Sequence, residues 1–318
     1  MTTTFGDLIE NVFRRVSGPV QEQIVSVNKT GGVLVGDLTV TFAGPQSAAV
    51  LPGVKISIDI EDMLVTGVTG QVATVVRGFA GSTESTHVDA SLIYINSTVT
   101  RFDIAQAIND DLNDLSGLGL FRVGVATLSW NPVFYGYDLG ALPTNYVNIL
   151  GVEFRTIDPS RRFPSITEFD IRRWNSTTTD SAFPSGNALI LYERGDPGQP
   201  IYVTYSAPFL PLVALTDSIT STPVANDPAP PPNGYGTLTT VPNLALTMTD
   251  IPPLGATIAI IQPHEISRND MGANPDPRLA PEVPPGAVAN SVAGLAQRRM
   301  SRINTEADRL YVQYPNRK

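Results

Sequence analysis

The apolar positions of this chain change period repeatedly along its length. Phe5, Leu8, Ile9, Val12, Phe13 and Val16 recur every three or four residues, the spacing of one helical face. Thr4 with Asp7 three residues on forms a capping box ahead of them, and Gly18-Pro19 ends the pattern. Residues 24–99 then alternate with period two: "IVSVNKTGGVLVGDLTVTFAG", "VKISIDIEDMLVTGVTGQVATVVRG" and "ASLIYINSTV" are short β-branched runs punctuated by glycine. They predict a small antiparallel barrel or sandwich, with a hairpin turning at Thr69-Gly70-Gln71. A second helix is predicted over 100–117. Thr100 and Asp103 form its capping box, Ile104, Ile108, Leu112 and Leu115 form its apolar stripe, and Asp110, Asp111 and Asp114 are assigned to the solvent side.

Residues 119–215 return to strands, among them "YVNILGVEFRTI", "FDIRRWNS", "NALILYE" and "IYVTYSAPF", and predict a second β-domain, a sandwich. Residues 216–249 form a strap. Its Thr222–Gly236 stretch, "TPVANDPAPPPNGYG", reads as extended and polyproline-like. In segment 250–318, Asp250 followed by Pro252 and Pro253 starts a helix carrying Leu254, Ile258 and Ile261. "PDPRLAPEVPPG" is a stiff connector, and the last helix runs from about Gly286 to Tyr314. Its seam is Val292, Ala296, Met300, Ile303, Ala307, Leu310 and Tyr314, while Arg298, Arg302 and Arg309 share another face. The expected class is therefore α+β. A helical core is drawn from the N-terminal segment 1–18, the central helix and the two C-terminal helices, with two antiparallel β-domains inserted into its connections.

Composition supports a β-rich chain with many loops. Only 16% of the 318 residues are charged, below the usual quarter, and there is no cysteine. Disulfides, thiolate nucleophiles and cysteine-bound zinc are thereby excluded. No apolar run nears the length of a membrane span, and "MTTTFGDLIENVFRR" lacks the pattern of a signal peptide, so a cytoplasmic origin is expected. Net charge is -9, which does not suit coating nucleic acid. The charge is uneven: His264–Lys318 holds eight Arg/Lys against six Asp/Glu, while the rest holds thirteen against twenty-four.

Candidate chemistry is sparse. His87 and His264 are the only imidazoles. His87 lies in "VVRGFAGSTESTHVDASLIYI", two apolar runs flanking a polar loop, and a Ser-His-Asp site could draw on Ser82 or Ser85 with Asp89. No Gly-x-Ser-x-Gly accompanies them, so His87 is read as holding a hairpin tip by bonding loop backbone. His264 precedes Glu265 near a helix end and has no His-Glu-x-x-His around it. "DIEDM" and "NDDLND" lack a calcium-loop layout and read as a solvated turn and a solvated helix face. Arg194-Gly195-Asp196 reads as a hairpin turn. Asn28, Asn96 and Asn175 open glycosylation-type tripeptides that read as chance. No catalytic residue, cofactor or metal is predicted.

Arg77-Gly78, Gly81-Ser82 and His87 are similar to a strand–loop–strand hairpin of tailed-bacteriophage structural proteins. "DIPPLGATIAII", "HEISRND", the stretch from "PDPRLAPEVPPG" to "LYVQYP", and "FPSGNALILYERGDPGQPIYVTYSAPF" resemble head-to-tail adaptor proteins of long-tailed phages of actinobacteria. The resemblance implies a virion neck protein and no enzyme. It implies a homo-oligomeric ring, usually of twelve copies, under the portal protein, with the stopper or tail-completion protein below it. Genomic DNA would pass through without sequence-specific binding, and no membrane is involved. Eighteen arginines against three lysines suit planar, bidentate interface pairs. The expected portal contacts are Arg298, Arg302, Arg309, Tyr314, Arg317 and Lys318, with Arg302 also able to pair with Glu306 four residues on. The alternatives are a tail or tail-completion protein, and a receptor- or carbohydrate-binding β-module.

Overall fold

The computed structural model describes residues 3–16, 23–154, 166–173, 183–217, 246–272 and 287–314, with side chains described for all of these except 246, 263–272 and 287–289. The proline-rich stretch 222–236, the connector 275–286, Trp174, Asn175, Arg317, Lys318 and the His264 side chain lie outside these described residues.

The described chain is mixed α+β, with helices α1 (Phe5–Val16), α2 (Arg101–Gly117), α3 (Ile251–Gly272) and α4 (Ala287–Gln313). Both expected capping boxes form. The Thr4 amide donates to Asp7 Oδ2 at 2.9 Å and the Asp7 amide returns to Thr4 Oγ1 at 3.2 Å. Thr100 and Asp103 do the same at the start of α2. These caps satisfy amides that have no partner within the helix. Phe5, Leu8, Ile9 and Val12 of α1 meet Ile104, Ile108, Leu112 and Leu115 of α2, Ile251 and Ala256 of α3, and Ile303 and Leu310 of α4 in one apolar core. Burying each such side chain stabilises by about 1.5–3 kcal/mol relative to leaving it in water. Helices far apart in sequence thus share one interior.

Between α1 and α2 lie β1 (Gln23–Val27), β2 (Thr39–Ala43), β3 (Lys55–Ile58), β4 (Glu61–Thr69), β5 (Val72–Val76) and β6 (Leu92–Ile95). They close into an antiparallel barrel in the order β1-β2-β5-β4-β3-β6. Its interior takes alternate residues, among them Val25, Val40, Phe42, Ile56, Met63, Val75 and Ile93. The hairpin at Gly70-Gln71 forms as expected, with Thr69 opposite Val72 and Gly70 at φ 61°. The hairpin expected for 75–95 does not form. β5 pairs with β2 and β4, and β6 pairs with β1 and β3, so the segment between them crosses the barrel end. Barrel closure overrides the pairing of sequence neighbours, because it leaves no strand edge open.

After α2 come β7 (Arg122–Ser129), β8 (Gly136–Asp138), β9 (Asn148–Phe154), β10 (Phe169–Arg173), β11 (Asn187–Leu191) and β12 (Pro200–Ala207). They form two three-stranded antiparallel sheets, β10-β11-β8 and β7-β12-β9, around one core that includes Tyr137, Leu189 and Leu191 from the first and Ile149, Val152, Ile201 and Val203 from the second. This is the expected sandwich. The Arg194-Gly195-Asp196 segment is not a hairpin turn, because β11 and β12 belong to different sheets and the segment passes between them.

Both β-domains are tied to the helices. Arg101, at the start of α2, lies 3.5 Å from the centroid of the Tyr94 ring on β6 and 4.6 Å from that of Phe13 on α1, and its Nε donates to Glu10 at 3.0 Å. Past β12, Phe209 and Leu212 enter the helical core, and the Asn109 side chain of α2 both donates to and accepts from the Leu212 backbone. No helix among the described residues is long and apolar enough to cross a membrane.

Candidate functional site

The crossing segment and the start of β4 build a buried ionic cluster at one end of the barrel. Glu61 opens β4 and is fully buried. Its carboxylate takes a two-pronged pair from Arg77, Nε to Oε1 at 2.7 Å and Nη2 to Oε2 at 2.8 Å, and the Gly78 and Ser85 amides also donate to it. His87 Nε2 lies 2.8 Å from Glu61 Oε2, and His87 Nδ1 lies 2.7 Å from Asp59 Oδ2. Arg77 also donates to the carbonyls of Leu34, Asp37 and Ser85. One guanidinium therefore binds β4, the 33–38 loop and the 84–88 loop together. The His87 backbone pairs with Val33 in an antiparallel bridge. Gly32 permits this: at φ +75° it comes so close that a Cβ there would sit 2.0 Å from the His87 carbonyl oxygen.

The charges respond to this arrangement. Burial pushes the Glu61 carboxyl up, but the bonds from Arg77, His87 and the two amides outweigh it and hold the group at about 2. Burial likewise opposes the His87 imidazolium, and its two carboxylate partners outweigh that and raise its pKa. Carboxylates at both nitrogens favour the imidazolium, which has no lone pair to offer. Ser85 Oγ is 3.4 Å from Nε2, yet Glu61 already occupies that nitrogen.

Asp89 bonds the Lys29 amide, and the carboxylate on His87 is Asp59 instead. Ser82 bonds the Asp62 and Phe79 carbonyls, away from the imidazole. The His87 side chain bonds carboxylates, not loop backbone. "DIEDM" is no solvated turn: Glu61 and Asp62 are both buried, and burial raises the Asp62 pKa despite the Ser57 bond and Lys55 nearby. Of the resembled motif, Arg77, Gly78 and His87 converge on Glu61, while Gly81 stands apart at φ +89° and serves the loop. The Arg-Gly…His spacing was the available signal. Glu61 had none, because a lone carboxylate between strand residues looks like any turn.

The clamp presents apolar side chains to solvent. Leu34 is 53% exposed, Val35 62%, Leu38 64% and Val88 71%. Isolated apolar residues on a surface are ordinary, but four around one rigid loop pair make a patch that suits a partner.

The helical core holds a second buried ion pair. Asp111, expected on the solvent face of α2, is buried, and its Oδ1 meets Arg299 Nη2 of α4 at 2.7 Å. Only Asp110 and Asp114 face solvent. Asp111 Oδ2 and Arg299 Nε have no hydrogen-bond partner. Burial lifts Asp111 to about 7, against the pull of Arg299. A helical wheel for α2 alone could not reveal this, since the partner lies on α4.

Of the expected partner-facing residues on α4, Arg302 pairs with Asp250 at 2.9 Å, donates to the Thr247 carbonyl and lies 3.4 Å from Glu306. Arg309 pairs with Glu306 at 2.8 Å and Tyr314 packs against the helical core. Arg298 is exposed. On the seam, Ile303 and Leu310 are buried, whereas Met300 is 44% exposed. The described residues contain no group of three or more His, Asp or Glu side chains able to hold a metal ion. No protein-family model matches the chain, and a search of curated proteins finds no match.

Proposed function

We propose that the protein is a structural component of a bacteriophage neck, a head-to-tail adaptor whose copies form a ring beneath the portal protein, extend the DNA channel and carry the stopper or tail-completion protein. The observation that carries this reading is the apolar rim of Leu34, Val35, Leu38 and Val88, held rigid by the Arg77–Glu61–His87 cluster. Such a surface serves docking, and its ionic support serves shape. The resemblance of the C-terminal segment, the helical core with two β-domains in its connections, and the acidic charge, which suits a channel along which DNA must slide, support the same reading. Arg302 is engaged within the chain, so Arg298 at the surface of α4 is the arginine best placed to reach acidic groups on the portal.

Electron-microscopy class averages of the protein mixed with portal test the proposal. A ring of defined symmetry is expected, and its absence overturns the neck reading. Leu34→Asp with Val35→Asp should leave a folded chain that forms no ring. Arg298→Glu should leave a folded chain with weakened portal binding, and normal binding removes α4 from the interface.

A further inference from the structure

A hollow of about 950 Å³ opens at one end of the sandwich, lined by Trp130, Val133, Phe134, Tyr135, Tyr137 and Phe183. Three of these protrude: Val133 is 76% exposed, Phe134 57% and Tyr135 75%. The Trp130 indole beneath them is 8% exposed, seated where its amide donates to Gln199 and its carbonyl accepts from Gly198. The aromatic surface therefore stands on a fixed backbone.

The acceptors of Asn131, Tyr137 and Asp138 are engaged with their own loops. Asn131 Oδ1 accepts from the Val133 amide. Tyr137 Oη accepts from the Asn131 amide and donates to the Asn131 carbonyl. Asp138 accepts from Ser185 through Oδ1 and from the Gly140 amide through Oδ2. What remains for a ligand is mostly aromatic face, with the Trp130 N–H, the Tyr135 and Ser129 hydroxyls and the Asn131 side-chain NH2 as donors. A sugar needs several side-chain groups to read its hydroxyls. A polyproline II segment needs the opposite: aromatic ridges for its rings and a few donors for its solvated carbonyls.

The sequence contains a proline-rich stretch of the composition that such a helix favours. "DPAPPP", residues 227–232, places Pro228 and Pro231 three apart, on one face of a three-residue helix, and Asp227 is the only charged residue between Thr222 and Gly236. It lies in the stretch between Asp217 and Leu246, outside the described residues; Asp217 at one end bonds Phe5 and Met248 just past the other end packs in the helical core, so the middle of the stretch can extend roughly 40 Å from the helices toward a neighbouring molecule. We propose that the Trp130–Tyr135 hollow binds the proline-rich stretch Thr222–Gly236 of a second copy of this chain, linking neighbours by strap exchange. The inference stands on the hollow and does not require the neck reading. In a ring it would join adjacent copies.

The test uses the full chain carrying Trp174→Phe, so that Trp130 is the only indole, with 222–236 replaced by glycine and serine at equal length. A synthetic 222–236 peptide should shift its Trp130 fluorescence to saturation. The unreplaced chain should need at least tenfold more peptide, because its own segment competes. Phe134→Ala with Tyr135→Ala, both exposed, should weaken binding at least tenfold, and a peptide with serine at 228, 230, 231 and 232 should not saturate. In sedimentation, the unreplaced chain should self-associate at concentrations where the replaced chain does not. No shift with the peptide, an equal shift with the serine peptide, or saturation by oligosaccharides alone overturns the site. Equal sedimentation of the two chains overturns exchange between copies. A ring that forms on portal with the replaced chain leaves the neck reading intact while removing the strap from it, so the two ideas fail separately.

Discussion

The barrel end and the helical core each bury a carboxylate beside an arginine, and the two carboxylates shift in opposite directions. Glu61 receives two guanidinium nitrogens, two amides and an imidazolium, and sits at about 2. Asp111 receives one guanidinium nitrogen at one oxygen, leaves the other unpaired, and sits at about 7. Burial raises both. The number of hydrogen bonds to the charged form decides which way each settles. The first cluster is a fixed charge that shapes the loops at the barrel end. The second is a pair at the edge of neutrality, lying between α2 and α4.

Breaking the stronger site should have the largest effect. Glu61→Gln removes the carboxylate shared by Arg77 and His87, leaving Asp59 on the imidazole and the longer Glu84 contact on the guanidinium, and should cost about 4 kcal/mol. Hydrogen exchange at the Val33 and His87 amides, bonded across the two clamped loops, would report it. Protection equal to the unaltered chain would show that Arg77's carbonyl bonds suffice on their own. His87→Ala comes next, at about 3 kcal/mol, because the imidazolium bonds two carboxylates. It also tests the pH dependence of the clamp. The raised His87 pKa contributes stability that is fully present below 6.5 and is lost as pH rises through the folded value. The lowered Glu61 pKa contributes stability present above 4.5 and lost as pH falls toward 2. The barrel end should therefore be most protected between about 4.5 and 6.5, and His87→Ala should remove the alkaline loss alone.

Gly255→Ala sharpens the comparison from the helical side. A Cβ there would lie 1.7 Å from Asp111 Oδ1, so the added methyl displaces the carboxylate. The expected cost is about 2 kcal/mol in denaturant unfolding, after alanine's better helix propensity is included. Asp111→Ala in the same chain should restore most of it; failure to do so would place the strain in the backbone. The smallest effect belongs to Asp111→Asn at a pH near or below 3.8, within about 1 kcal/mol, because the native carboxyl is protonated there. Its signature is the pH profile. A folded pKa of about 7 against 3.8 means the core loses stability as pH rises between those values, on the order of 4 kcal/mol in total. Asparagine should flatten that decline, and an unchanged slope would assign it to another group.

The sequence by itself determined whatever depends on neighbours along the chain. Capping boxes at Thr4 and Thr100, the α1 and α2 stripes, the strand runs and the Gly70 turn are all set by spacings of two to four residues; among the described residues the capping boxes, the stripes and the turn form, and strands lie within the runs. The tertiary structure alone decided which strands pair and which charges are buried. The runs around His87 look like a hairpin because each is a good strand, yet closing the barrel places β5 and β6 apart and sends the loop across its end. Asp111 looks solvated because its partner, Arg299, lies on α4 and its seat against Gly255 lies on α3. Glu61 gives no local sign of burial because Arg77, Ser85 and His87 reach it only after the barrel has closed. A carboxylate's surroundings are set by groups converging from remote positions, and no periodicity within one element records that convergence.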